Sequence, residues 1–125
     1  MAKKSVVTEG YPTVKIAGKT YTLEPTLKAV RQICGAYGGI LPAYTAVNQI
    51  NPGAAASVIA CGAGIEFDDQ EDIDAFEEKV WKSDRSEYQS GIIKFLGLLL
   101  NGGKEIEPKE EKDEDEKKEA DQGNG

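Results

Sequence analysis

The chain has 125 residues, of which 22 are acidic and 15 basic, with no histidine and a formal charge of −7. That length holds at most one compact domain with appendages, and the acidic balance, with no Lys/Arg stripe to neutralise phosphates, argues against a nucleic-acid partner. The missing imidazole excludes Ser-His-Asp chemistry and removes the commonest metal ligand and general base.

Residues 1–12 are mostly polar and are expected to form a flexible N-terminus. Met1-Ala2-Lys3-Lys4 is not followed by an apolar stretch, so no secretion signal is read and a cytoplasmic location is expected. Thr13-Val14-Lys15-Ile16 and Thr20-Tyr21-Thr22-Leu23 each alternate polar and apolar residues around Ala17-Gly18-Lys19. This is a β-hairpin signature, with Val14, Ile16, Tyr21 and Leu23 on one side. A lone two-stranded hairpin is marginal in water, so the helices that follow, or another subunit, must cover that side.

Pro25-Thr26 stops the second strand, and Thr26 is placed to cap a helix from Leu27 to about Tyr37. Its expected apolar face is Leu27, Val30, Cys34 and Tyr37, and Gly38-Gly39 ends it. Gly35, inside this helix, costs about 1 kcal/mol against Ala. A second helix is expected from Leu41-Pro42 to Ile50, with Leu41, Tyr44, Val47 and Ile50 along one face. Asn51 caps a short small-residue helix, Ala54–Cys61, closed by Gly62-Ala63-Gly64. Asp68-Asp69-Gln70-Glu71-Asp72 opens an acidic helix that runs to about Trp81, with Ile73, Phe76, Val80 and Trp81 inward. Ser83-Asp84 starts a last helix carrying Tyr88, Ile92, Phe95, Leu96 and Leu99, which stops at Asn101-Gly102-Gly103.

Residues 104–125 hold 5 Lys and 10 acidic residues, a net −5, and almost nothing to bury. Such a segment cannot offset roughly 1–2 kcal/mol of backbone entropy per residue, and a disordered acidic tail is expected. The reading is therefore a single α+β domain over 13–103, mostly helical, with an N-terminal β-hairpin packed on about five short helices.

Sites of chemistry are scarce. The acids at Glu66, Asp68, Asp69, Glu71, Asp72 and Asp74 lack the central glycine of a calcium loop, and Ile73 and Phe76 fall among them at helical spacing. They read as helix-start residues with a solvated face, and no metal is expected. Gly62-Ala63-Gly64 lacks the later glycine and preceding strand of a nucleotide loop. No cofactor and no catalytic residue are expected, and the chain reads as a binding module, not an enzyme. Cys34 and Cys61 sit in apolar helical contexts and read as small buried hydrophobes of a reducing compartment. The longest apolar run, residues 91–100, contains Lys94 and is about half the length that spans a bilayer, so no membrane is expected. The last helix is apolar nearly all round, more than a small domain easily hides, which leaves core packing, partner binding and self-association open.

The block GKTYTLEPTLKAVRQICGAYGGI resembles the opening of the gene-transfer-agent-type phage tail assembly chaperone family. Gly18, Tyr21, Leu23, Thr26, Leu27, Ala29, Tyr37, Gly38 and Gly39 carry the likeness, and Val58–Gly64 adds to it. The resemblance implies a protein made in the host cell cytoplasm and not kept in the mature virion. Its implied partners are the tape measure protein and the tail tube protein, during tail morphogenesis. A groove formed by the last helix and the helix at 41–50 is the expected binding site, through Leu41, Tyr44, Ile92, Phe95 and Leu99. Phe95→Asp is then expected to abolish binding while leaving the hairpin folded. The other readings are a structural tail or head–tail connector subunit, and a small acidic adaptor or regulator.

Overall fold

The computed structural model describes residues 10–104; the expectations for the first nine residues and for the acidic tail beyond Lys104 lie outside them. Strand β1 (Thr13–Ile16) pairs antiparallel with β2 (Lys19–Thr22), Val14 opposite Tyr21 and Ile16 opposite Lys19. The connection is thus only Ala17-Gly18, with Lys19 already in the strand. Both turn residues have positive φ, 53° and 81°, as the two-residue turn that matches strand twist requires. Val14 and Ile16 are buried, as is Leu23 just past β2, whose N–H donates to Pro12 O at 2.9 Å. The expected apolar side of the hairpin is therefore the side that meets the helices.

Five α-helices and a short 3₁₀ turn follow: α1 (Leu27–Tyr37), α2 (Ile40–Asn48), α3 (Pro52–Ala63), α4 (Gln70–Lys82), the turn at Arg85–Glu87, and α5 (Gln89–Leu100). Among the described residues this is an α+β fold, mostly helical, with one hairpin ahead of the helices. Local chemistry sets the helix starts. Thr26 Oγ1 accepts from Ala29 N at 3.1 Å, Asn51 Oδ1 from Gly53 N and Ala54 N at 3.0 and 3.2 Å, and Asp69 Oδ1 from Asp72 N at 3.0 Å. Each satisfies amide groups that the first turn leaves without a partner. Gly38 ends α1 in the left-handed conformation, its N–H returning to Cys34 O.

Helix α3 is the centre. It touches α1, α2, α4, α5 and β2, and Ala54, Ala55, Ala56, Val58, Ile59 and Ala60 are all buried. Small side chains let so many neighbours approach one helix. Helix α5 closes the far side, burying Ile92, Phe95, Leu96, Leu98 and Leu99, each such large side chain contributing about 1.5–3 kcal/mol relative to exposure. It crosses β1 at Gly91, where a β-carbon would lie 2.4 Å from Thr13 O and 2.8 Å from Val14 Cγ1. Only a glycine lets helix and strand meet this closely. The hairpin turn is pinned to the end of α4 by Ala17 N donating to Ser83 Oγ at 3.1 Å. Among the described residues no helix is long and apolar enough to cross a membrane.

The inward faces of three helices differ from those expected. In α1 the buried residues are Ala29 and Ile33, with Val30, Cys34 and Tyr37 half-buried and Leu27 62% exposed. The face is rotated by about one residue, roughly 100°, because the small Ala29 seats α1 against its neighbours. In α2 the core residues are Ala43 and Val47, while Leu41 is exposed and Ile50 lies beyond the helix end. In α4, Phe76 and Val80 point inward, but Ile73 is partly exposed and Trp81 is 67% exposed.

Candidate functional site

The groove expected between the last helix and the helix at 41–50 is not an open surface. Ile92 and Phe95 have no exposure and Leu99 is buried, all three within the single hydrophobic core; Tyr44 is half-buried against that core and Leu41 faces solvent. Helix α5 reads as apolar all round because α3, α2 and β1 surround it. Phe95→Asp would place an unpaired carboxylate in the core, so the expectation that it leaves the hairpin folded is corrected.

A second apolar surface lies on the other side of α3, where Ala56, Ala60 and Phe76 are buried and Ser57, Cys61, Ile65 and Phe67 are half-buried. Gly53, Ala56, Ser57, Ala60 and Cys61 recur at three- and four-residue spacing and make one face of that helix. Their side chains are short, and taller residues flank them: Gln32 of α1, and Ile73, Phe76 and Glu77 of α4. The result is a cleft of about 550 Å³, closed at one end by Ile65, Glu66 and Phe67 of the loop between α3 and α4. One wall is aromatic: Phe76 meets Phe67 at 5.7 Å between ring centroids, the rings tilted at 45°, and behind the wall it packs edge-on against Tyr21 at 5.8 Å. These contacts fix the wall through the hairpin, since Tyr21 belongs to β2.

The cleft is apolar on its floor and carries carboxylates at its rim. Lys28 Nζ meets Glu66 Oε2 at 3.2 Å, tying α1 to the α3–α4 loop across one edge. Glu77, half-buried, leans over Gly53 on the opposite edge and forms neither a hydrogen bond nor an ion pair among the described residues. Burial pushes the Cys61 thiol above its ordinary value, which favours the protonated form on the cleft floor. Past Glu77 the surface continues into a second, shallower hollow of about 360 Å³ lined by Pro52, Asp74, Glu77, Glu78 and Trp81. The acidic run at the start of α4 is engaged in capping: Asp69 holds Asp72 N, and Asp72 Oδ2 accepts from Asp68 N at 3.4 Å.

The cleft-forming residues left one trace in the sequence: the small residues of Pro52–Ala63 at helical spacing. Small residues equally describe a buried crossing, which is what the opposite side of the same helix is.

The residues that carry the family resemblance serve the hairpin and α1. Gly18 is in the turn, Tyr21 packs on Phe76 behind the cleft wall, Leu23 is in the core, Thr26 is the cap of α1, and Gly38 and Gly39 make the α1–α2 junction. Leu27 is exposed, and nothing in the fold accounts for it. No protein-family model, no curated protein and no solved structure matches the chain.

Proposed function

We propose that this protein is a phage or prophage tail assembly chaperone, binding the tape measure protein and helping to recruit tail tube protein during tail morphogenesis. It would act in the host cell cytoplasm and be absent from the mature virion. The sequence resemblance from Gly18 to Gly39 supports the family reading, and one structural observation supports a helix-binding role. This is the apolar cleft on α3, floored by small residues from Gly53 to Cys61 and walled by Phe67, Ile73 and Phe76. A groove of this kind takes the apolar stripe of an amphipathic helix. A tape measure protein is a long helical chain whose stripes need cover before the tube assembles, and a coat of small acidic domains would both cover them and stay soluble. A chain whose one sheet among the described residues has two strands offers little to a strand-rich tube, which favours the chaperone over a tube subunit.

Co-expression tests the reading. The wild-type chain is expected to keep a tape measure protein soluble and to co-purify with it. Ile73→Asp, at a partly exposed cleft position, is expected to abolish co-purification while the helical circular dichroism spectrum stays unchanged. A tape measure protein that stays insoluble beside the wild-type chain would refute the function. Retention by the folded variant would refute the cleft as its site.

A further inference from the structure

The rim of the cleft says more about the occupant than its floor does. Four carboxylates border the cleft and the neighbouring hollow: Glu66, Asp74, Glu77 and Glu78. Two are matched by lysines, Glu66 by Lys28 at 3.2 Å and Glu78 by Lys82 at 2.9 Å. The other two have no cation: Asp74 only accepts from the Gln70 amide at 2.9 Å, and Glu77 has no partner among the described residues. Glu77 lines both hollows, so it stands where the apolar floor of the first meets Trp81 and Pro52 of the second. Trp81 is the largest exposed apolar side chain of the domain, and tryptophan is prominent among residues that dominate binding surfaces.

We infer that the occupant is a basic amphipathic helix: its apolar stripe is bordered by Lys or Arg, and it runs from the cleft over Glu77 onto the ledge of Trp81 and Pro52. The inference rests on the helix-binding reading of the cleft and adds the charge class and the extent of the bound segment. Charge complementarity selects this occupant over the acidic segment 104–125 and over a second copy of the chain. Segment 104–125 carries 10 acidic residues against 5 Lys, and a second copy brings a net charge of −7. Either would set like charge against Glu77 and Asp74. A helix bearing a cation at Glu77 supplies the partner that this half-buried carboxylate lacks, and the surrounding apolar floor reduces the screening of that pair by water.

Three synthetic helical peptides of about five turns, sharing one Leu stripe and differing only in the bordering residue (Lys, Gln or Glu), test this on the full chain. Peptide anisotropy reads affinity. Trp81, the only tryptophan, reports occupancy of the ledge through its emission. The Lys peptide is expected to bind roughly fivefold to tenfold more tightly than the Gln peptide at low salt, with the Glu peptide weakest. Added NaCl should shrink the preference, and Trp81 emission should shift to the blue on binding. Glu77→Gln, close to isosteric, should lose most of the Lys preference while keeping affinity for the Gln peptide. Equal binding of the three peptides would overturn the charge inference and leave the helix-binding reading standing. Binding by none would overturn both. An unmoved Trp81 emission beside rising anisotropy would overturn the extension onto the ledge, and a Lys preference kept by the variant would overturn the role of Glu77.

Discussion

Phe95 of α5 rests its ring on the bare backbone of Gly62 in α3: a β-carbon on Gly62 would lie 2.9 Å from Phe95 Cζ and 3.0 Å from Leu23 Cβ. Three parts of the chain meet there, the hairpin through Leu23, the central helix through Gly62 and the last helix through Phe95. The backbone joins in as well, since Glu24 N donates to Gly62 O at 2.9 Å. The absence of a side chain at one helical position therefore sets the separation of all three.

Gly62→Ala is expected to destabilise the domain. Alanine would gain about 1 kcal/mol of helix propensity, but Leu23 Cβ is attached to its own backbone and cannot swing aside, and Phe95 is fully enclosed. Overpacking of this kind costs about 1–3 kcal/mol, so we expect a net loss. Urea unfolding should show a lower midpoint with an unchanged slope. An unchanged or higher midpoint would mean that α3 and α5 can move apart freely.

Gly35→Ala should do the reverse. Gly35 lies inside α1, is exposed, and an added β-carbon would meet nothing within 4 Å. Only the propensity gain remains, about 0.5–1 kcal/mol. Thermal unfolding should move up by a few degrees. A fall would show that this position serves something other than the fold of the isolated chain.

Phe95→Asp should strongly destabilise the whole domain, hairpin included. The site has no exposure, and a carboxylate there would be buried without a partner. A loss above about 4 kcal/mol is expected, against a total of about 5–15 kcal/mol for a domain. Hydrogen exchange of the β1 and β2 amides provides the check, because the hairpin depends on α5 for its cover. Hairpin amides as well protected in this variant as in the wild-type chain would contradict the single-core packing described above.

Much of the architecture was legible because its causes are local. Thr26, Asn51 and Asp69 each cap a helix through an amide two or three residues away, so a few residues of sequence carry the whole interaction. The hairpin was equally plain, from two alternating arms around Ala17-Gly18-Lys19, although Lys19 belongs to β2. The limits of α3 were less so: Gly62 reads as a stop, yet it lies inside the helix as a packing contact, and Gly64 ends it in the left-handed conformation. The α1 register shows why faces were harder. Leu27, Val30, Cys34 and Tyr37 make a plausible stripe, yet Ala29 and Ile33 are the residues enclosed, since the docking of neighbours and not hydropathy alone chooses the side.

By itself, then, the sequence determined the α+β character, the hairpin and the capped starts of α1, α3 and α4, because caps, turns and periodicity act within one or two turns of chain; the last helix, expected from Ser83-Asp84, instead begins at Gln89 after a separate 3₁₀ turn. Tertiary structure alone decided that Phe95 and Ile92 belong to the core, that Leu41 and Trp81 face solvent, and that an apolar cleft opens along α3 between α1 and α4. The physical reason is the same for each: burial depends on which helices stand beside a residue. Gly62 and Gly91 set those distances through contacts with Phe95, Leu23 and Thr13, residues far from them in the chain.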